Sequence, residues 1–231
     1  MTLTLDETKS QLLNAAVMHV PFDGWSDKSL NEAANDCGID AATARMAFPR
    51  GAVDLALAFH KRGDQAMVDR LNSEDLGALK FREKIAAAVR FRLEAVEDKE
   101  LVRRGATLFA LPHHAPDGAK AVWDTCDLIW TVLGDTSDDV NWYTKRATLS
   151  GVYSSTVLYW LGDNSPDNQA TWSFLDRRID NVMQFETLKA KVRDNPVLKP
   201  FLAGPNWLLG QVKAPTRMPD IDLPGVMSPR R

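Results

Sequence analysis

Residues 27–49 read DKSLNEAANDCGIDAATARMAFP, and the fold is decided by this stretch. Asp27 is placed to cap a short helix over 28–36, with Leu30, Ala33 and Ala34 turned inward at helical spacing. Gly38 then supplies a tight turn, and Asp40 caps a second short helix that ends near Phe48-Pro49. Outward from it, residues 5–20 carry Leu5, Leu12, Leu13, Ala16, Val17 and Val20 on one helical face, and Pro21-Phe22-Asp23-Gly24 is expected to break that helix. On the other side, apolar residues recur with a 3.6-residue period over 52–71, 81–96, 100–111, 118–133, 140–161 and 167–192. Breakers separate these runs: Pro112, Pro116, Gly134-Asp135 and Asp163-Asn164-Ser165-Pro166. Strand-like alternation is hard to find. The chain is therefore read as an all-α multi-helix bundle, with an N-terminal unit at 1–60, a larger helical domain at 61–193, an amphipathic segment at 194–213 and a disordered tail at 214–231.

Composition narrows the function. A chain of 231 residues with 45% hydrophobic content has enough apolar surface for a sizeable core. The net charge of −3 provides no global field for nucleic acid or anionic lipid. Cys37 and Cys126 form no CxxC pair, and a reducing compartment is the expected setting. The acidic stretch at 1–7 does not read as a targeting peptide, and no apolar run reaches the ~18 residues of a membrane span. The catalytic motifs sought (GxSxG, P-loop, GxGxxG, HExxH) are missing from the sequence, so no catalytic residue, metal ligand or cofactor is assigned. The adjacent His113 and His114 sit between prolines in a turn and do not chelate as a pair.

A helix followed by two short helices around a Gly turn resembles the helix-turn-helix domain of TetR-type regulators. Charge argues against DNA binding. Residues 1–60 hold four cations against eight carboxylates, a net of −4, whereas non-specific DNA affinity requires a basic face. The would-be recognition helix offers Arg45 and little else for base edges.

The run at 140–161 can be divided by faces. Trp142, Arg146, Leu149, Tyr153, Val157 and Trp160 form a bulky, aromatic face, and Val140, Thr144, Ala147, Gly151, Ser154, Leu158 and Leu161 a mostly small one. A helix this apolar is expected to be buried nearly all round. Leu149, Tyr153, Val157 and Trp160 then either belong to the core or line an apolar ligand pocket, and both can hold together. Asp138 and Asp139 are placed as caps; Trp142 and Tyr143 fall in the first turn, near the surface; Arg146 lies one turn on, within stacking reach of Trp142.

The stretch Asp138-Asp139-Val140-Asn141-Trp142-Tyr143-Thr144-Lys145-Arg146-Ala147, with Asp163-x-Ser165-Pro166-Asp167 and Thr171-Trp172-x-Phe174-Leu175-x-x-Arg178, resembles the Coq-nine family of ubiquinone-biosynthesis accessory proteins, in its alphaproteobacterial form. Leu111-Pro112-His113 and Gly134-Asp135-Thr136-Ser137 fit as well. The resemblance implies a TetR-like fold, a homodimer, a bound lipid or isoprenoid quinone, and a non-catalytic role assisting the di-iron (Coq-seven-type) hydroxylase of demethoxyubiquinone. It also implies that Asp139, Trp142, Tyr143 and Arg146 form the surface contacting that hydroxylase. The alternative is a TetR-like transcriptional regulator with a lipid effector.

Residues 186–213 carry five cations against two carboxylates beside Leu198, Phe201, Leu202, Trp207, Leu208 and Leu209. Basic residues among Trp, Phe and Leu describe an interfacial amphipathic helix, although Pro200 and Pro205 interrupt it. Packing onto its own domain or a dimer partner is the other reading. The resemblance favours the membrane, which implies a peripheral protein on the inner face of a bacterial inner membrane.

Overall fold

The computed structural model describes residues 4–194 and 213–215. Among these, nine α-helices and a single 3-10 turn form the fold, and no strand is present. The helices are α1 (Leu5–Asp23), α2 (Asp27–Cys37), α3 (Ala41–Ala47), α4 (Ala52–Ser73), α5 (Phe81–Glu94), α6 (Lys99–Phe109), α7 (Ala115–Val132), α8 (Val140–Gly162) and α9 (Gln169–Asp194).

The local chemistry explains most boundaries. Thr4 and Glu7 make a reciprocal capping box at the start of α1. Pro21 does not break α1: it lies in the last turn, where one lost N–H bond is tolerated, and the helix runs on to Gly24. Helix α2 is capped by Ser26, whose Oγ accepts from the Ser29 N–H at 3.1 Å; Asp27, expected to be the cap, is the first helical residue instead. Gly38 ends α2 in the left-handed conformation (φ +64°), which a side chain would disfavour. Asp40 caps α3 as its position predicts, accepting from the N–H groups of Ala42 and Thr43, both at 3.0 Å.

Two cores result. The first joins α1–α3 and the start of α4 through Leu12, Ala16, Val20, Leu30, Phe48 and Leu55. Trp25 ties it to α6 by donating from Nε1 to the Leu101 carbonyl at 2.9 Å. The second joins α4, α5, α7, α8 and α9 through Met67, Val89, Leu93, Ile129, Leu149, Trp160 and Leu175. The boundary read at residues 60/61 falls inside α4, one unbroken helix that feeds both cores.

Helix α8 is not buried all round. Leu149, Val152, Tyr153, Thr156 and Trp160 are buried, but Ala147, Gly151 and Leu158 on its small face are exposed. The helix packs chiefly on α7 and α9, with α6 alongside. No helix among the described residues is long and apolar enough to cross a membrane. The amphipathic segment, with Leu198, Phe201, Leu202, Trp207, Leu208 and Leu209, lies outside the described residues, as does most of the tail. The tail was expected to be disordered from Ala214 onward, yet Ala214 donates its N–H to the Asp138 carbonyl at 2.8 Å, which sets Lys213–Pro215 beside the start of α8.

Candidate functional site

Two features meet at the α7–α8 edge: an aromatic ridge and an apolar cavity. The ridge is built on a buried charge. Asp139 caps α8, accepting from the Asn141 N–H at 2.8 Å, and the chain then presents Trp142 and Tyr143, both half-buried. Their rings meet edge to face at 4.8 Å, and Trp123 of α7 joins at 5.9 Å from Trp142.

Arg146 corrects the expectation of a partner-facing residue. Its side chain is 0% exposed. Its Nε donates to Asp127 at 2.5 Å, and Nη1 donates to Asp135 and to the Trp142 carbonyl, each at 3.0 Å. The guanidinium carbon sits 4.0 Å from the centre of the Trp142 ring, the stacking that the four-residue spacing predicts. Asp127 and Asp135 come from outside α8, which is why the inward turn of Arg146 escapes a reading of that helix alone. The residue is a platform beneath Trp142.

Asp135 anchors the platform. It also accepts from Lys145 Nζ at 2.8 Å and Ser137 Oγ at 2.8 Å. Burial acts to raise its pKa, but the hydrogen bonds from Lys145, Ser137 and Arg146 outweigh it and pull the group down to about 2. A carboxyl with a depressed folded pKa stabilises the fold fully above its unfolded value of 3.8, and the contribution vanishes as pH falls toward 2. Acid titration followed by circular dichroism is therefore expected to show declining stability between pH 4 and 2, and a shallower decline in Asp135→Asn.

The cavity lies between α4, α5, α6, α7 and α8 and measures about 660 Å3. Its walls are mainly apolar, with Phe59, Leu101, Phe109, Val122 and Val157 among them, and Trp123 stands at its edge as well as in the ridge. Of the four pocket candidates on α8, Tyr153 and Val157 line this cavity. Leu149 borders a separate 400 Å3 hollow formed with residues of α5 and α9, and Trp160 is core, with Lys99 Nζ 5.1 Å above its ring. The small face supplies Gly151, Ser154 and Leu158 to the cavity instead. The two-face pattern is visible in the sequence, but not that both faces contribute to the cavity.

Four groups gather at the polar end of the cavity. Arg92, 3% exposed, donates from Nε to Asp64 at 2.6 Å and from Nη2 to the His60 carbonyl at 3.0 Å. His60 Nε2 and Thr125 Oγ1 share a 2.8 Å hydrogen bond, and Thr125 Oγ1 lies 3.0 Å from Asp64. Burial and the charge of Arg92 lower the His60 pKa and keep the ring neutral. Gly63 makes room for this arrangement, since a Cβ there would meet Arg92 Nη1 at 2.5 Å. Periodicity shows none of these contacts, because they join α4, α5 and α7.

Comparison with known proteins agrees with this architecture. The COQ9 family model matches residues 115–186, which span α7, α8 and most of α9. The chain is 32% identical over 193 residues to the mitochondrial ubiquinone biosynthesis protein COQ9 of Xenopus tropicalis, covering 79% of this chain and 60% of that protein. It is 30% identical over 190 residues to the Homo sapiens protein of the same name, covering 77% and 58%. The chain thus spans about 60% of the length of these relatives. Among solved structures, a TetR transcriptional regulator from Nitrosomonas europaea superposes with a TM-score of 0.61 over 75% of this chain and 96% of that one, at 18% identity, and so supports a TetR-like fold. By its matched domain and these relatives, the chain belongs to the COQ9 family.

Proposed function

We propose that this protein is a non-catalytic accessory factor of ubiquinone biosynthesis that holds a prenylated quinone precursor in the α4–α8 cavity and offers it to the demethoxyubiquinone hydroxylase. The observation that carries the proposal is the position of Trp123, which lines the cavity and stands 5.9 Å from Trp142 in the ridge. A partner seated on Asp139, Trp142 and Tyr143 would therefore adjoin the cavity. Exposed aromatic residues are favoured at protein interfaces, and Arg146 holds the ridge in shape from below. The physical need is plain: keeping a prenyl tail out of water is worth roughly 25 cal/mol per Å2 of apolar surface. The segment at 194–213 would rest on the membrane, and the protein would act as a homodimer.

Native mass spectrometry of the purified protein tests the proposal. A dimer carrying a prenylated quinone or phenol is the expected result; a protein holding no lipid, or phospholipid alone, would overturn it. The second reading, a DNA-binding regulator, is favoured by the shape of α1–α3 and by the TetR neighbour. Against it stand the −4 charge of residues 1–60 and the pairing of Arg45, the one cation on α3, with Asp27 at 3.6 Å. Electrophoretic mobility at low salt is expected to show no shift.

A further inference from the structure

The C-terminal part of the chain touches the ridge. Ala214 donates its N–H to the Asp138 carbonyl at 2.8 Å, and the Tyr143 hydroxyl donates to the Lys213 carbonyl across a longer 3.4 Å. Asp138 stands one residue ahead of the α8 cap, and the helix itself uses the next carbonyl, that of Asp139, to accept from the Trp142 N–H at 3.0 Å. Lys213 and Pro215 are exposed while Ala214 is half-buried, so the three residues lie over the surface as a strap fastened near its middle. Pro215 favours this shape, because the residue before a proline is held to extended backbone. Both strap atoms in these bonds belong to the backbone, so the side chains at 213–215 carry no signal of the contact.

We infer that Lys213–Pro215 form a strap over the α8 docking face, and that the hydroxylase must displace it to seat on Trp142 and Tyr143. This inference rests on the ridge being the docking surface. A partner that buries the Tyr143 ring and excludes water from it meets the strap at the Tyr143 hydroxyl. The hold is weak enough to yield: in net terms, each hydrogen bond multiplies the seated population by about two- to tenfold. The strap nonetheless competes well, because it belongs to the same chain and acts at a high effective concentration. Docking is weakened by the fraction of time the strap is off the face, so a strap seated about nine-tenths of the time costs the partner about tenfold in affinity. The free protein thereby shields part of an aromatic patch that would otherwise invite non-specific association.

The test joins two measurements on the full chain. Hydrogen exchange, read by mass spectrometry at the Ala214 amide, compares the free wild type with the wild type saturated by purified hydroxylase. The free chain is expected to exchange about five- to tenfold more slowly there than an open amide, and the hydroxylase to remove that protection. The hydroxylase affinity of Ala214→Pro is the second measurement, since proline has no N–H to give Asp138. This variant is expected to keep the wild-type melting temperature and to bind about three- to tenfold more tightly. An unprotected Ala214 amide in the free chain would overturn the strap. Protection that persists in the complex, or an Ala214→Pro affinity no more than twofold above the wild type, would overturn the competition. Failure of the ridge reading shows separately, as undiminished association of the Trp142→Lys, Tyr143→Lys double variant, and would overturn the inference even where the free chain protects Ala214.

Discussion

Replacing Arg146 by methionine is expected to cost about 3–5 kcal/mol of folding stability, a large part of the 5–15 kcal/mol typical of a domain. Methionine restores much of the aliphatic volume, so the loss reports the charge rather than a cavity. The substitution leaves the Asp135 side chain, 2% exposed, with Lys145 and Ser137 as its remaining partners. Asp127, 35% exposed, recovers part of its solvation in water. Trp142 loses the guanidinium stacked 4.0 Å from its centre, a further contribution of about 1–2 kcal/mol at a desolvated site. Urea unfolding followed by tryptophan fluorescence measures the effect. Arg50→Met is the control, because its ion pairs with Asp54 and Asp117 sit on a side chain 52% exposed and are expected to contribute less than about 1 kcal/mol. Equal losses in the two variants would refute the platform role.

The paired substitution Trp142→Lys with Tyr143→Lys is expected to weaken association with the hydroxylase by at least about 100-fold, since aromatic anchors at an interface centre each contribute roughly 2 kcal/mol or more. Two lysines also place fresh charge where the partner must exclude water. The fold should survive, because both residues are half-buried and outside either core; the stability cost is about 1–2 kcal/mol, from the lost stack over Arg146. Neither residue lines the cavity, so bound lipid should be retained. A pull-down with purified hydroxylase reads the first effect, and native mass spectrometry the second. Undiminished association would remove the ridge from the docking surface, and lost lipid would show that ridge and cavity are not separable.

Much of this was legible in the chain. Helical periodicity, the Asp40 cap and the Gly38 turn foretell α1–α3, and the short breakers between apolar runs foretell the later helices. The Trp142–Arg146 stack follows from a four-residue spacing on one helix. What escaped the sequence depends on distant segments. Arg146 turns inward because Asp127 and Asp135 await it, and Tyr153 faces the α4–α8 cavity while Leu149 borders a separate hollow because different helices flank the two positions of α8. Trp123 was not singled out at all. Its position one turn before Asp127 on α7 carries no signal until α7 and α8 are packed together.

The measurement closest to the heart of the proposal is lipid occupancy in Gly151→Trp. Gly151 borders the cavity, and a Cβ built there meets nothing within 4 Å, so a side chain can start from the cavity edge without a clash at its root. Replacing a mid-helix glycine by tryptophan should also stabilise α8 slightly, by at most roughly 0.5 kcal/mol. Native mass spectra of wild type and variant, purified side by side, are expected to show the prenylated ligand on the first and its loss from an equally folded second. A Gly151→Trp protein that keeps its full complement of lipid would place that lipid outside the α4–α8 cavity and contradict the proposal.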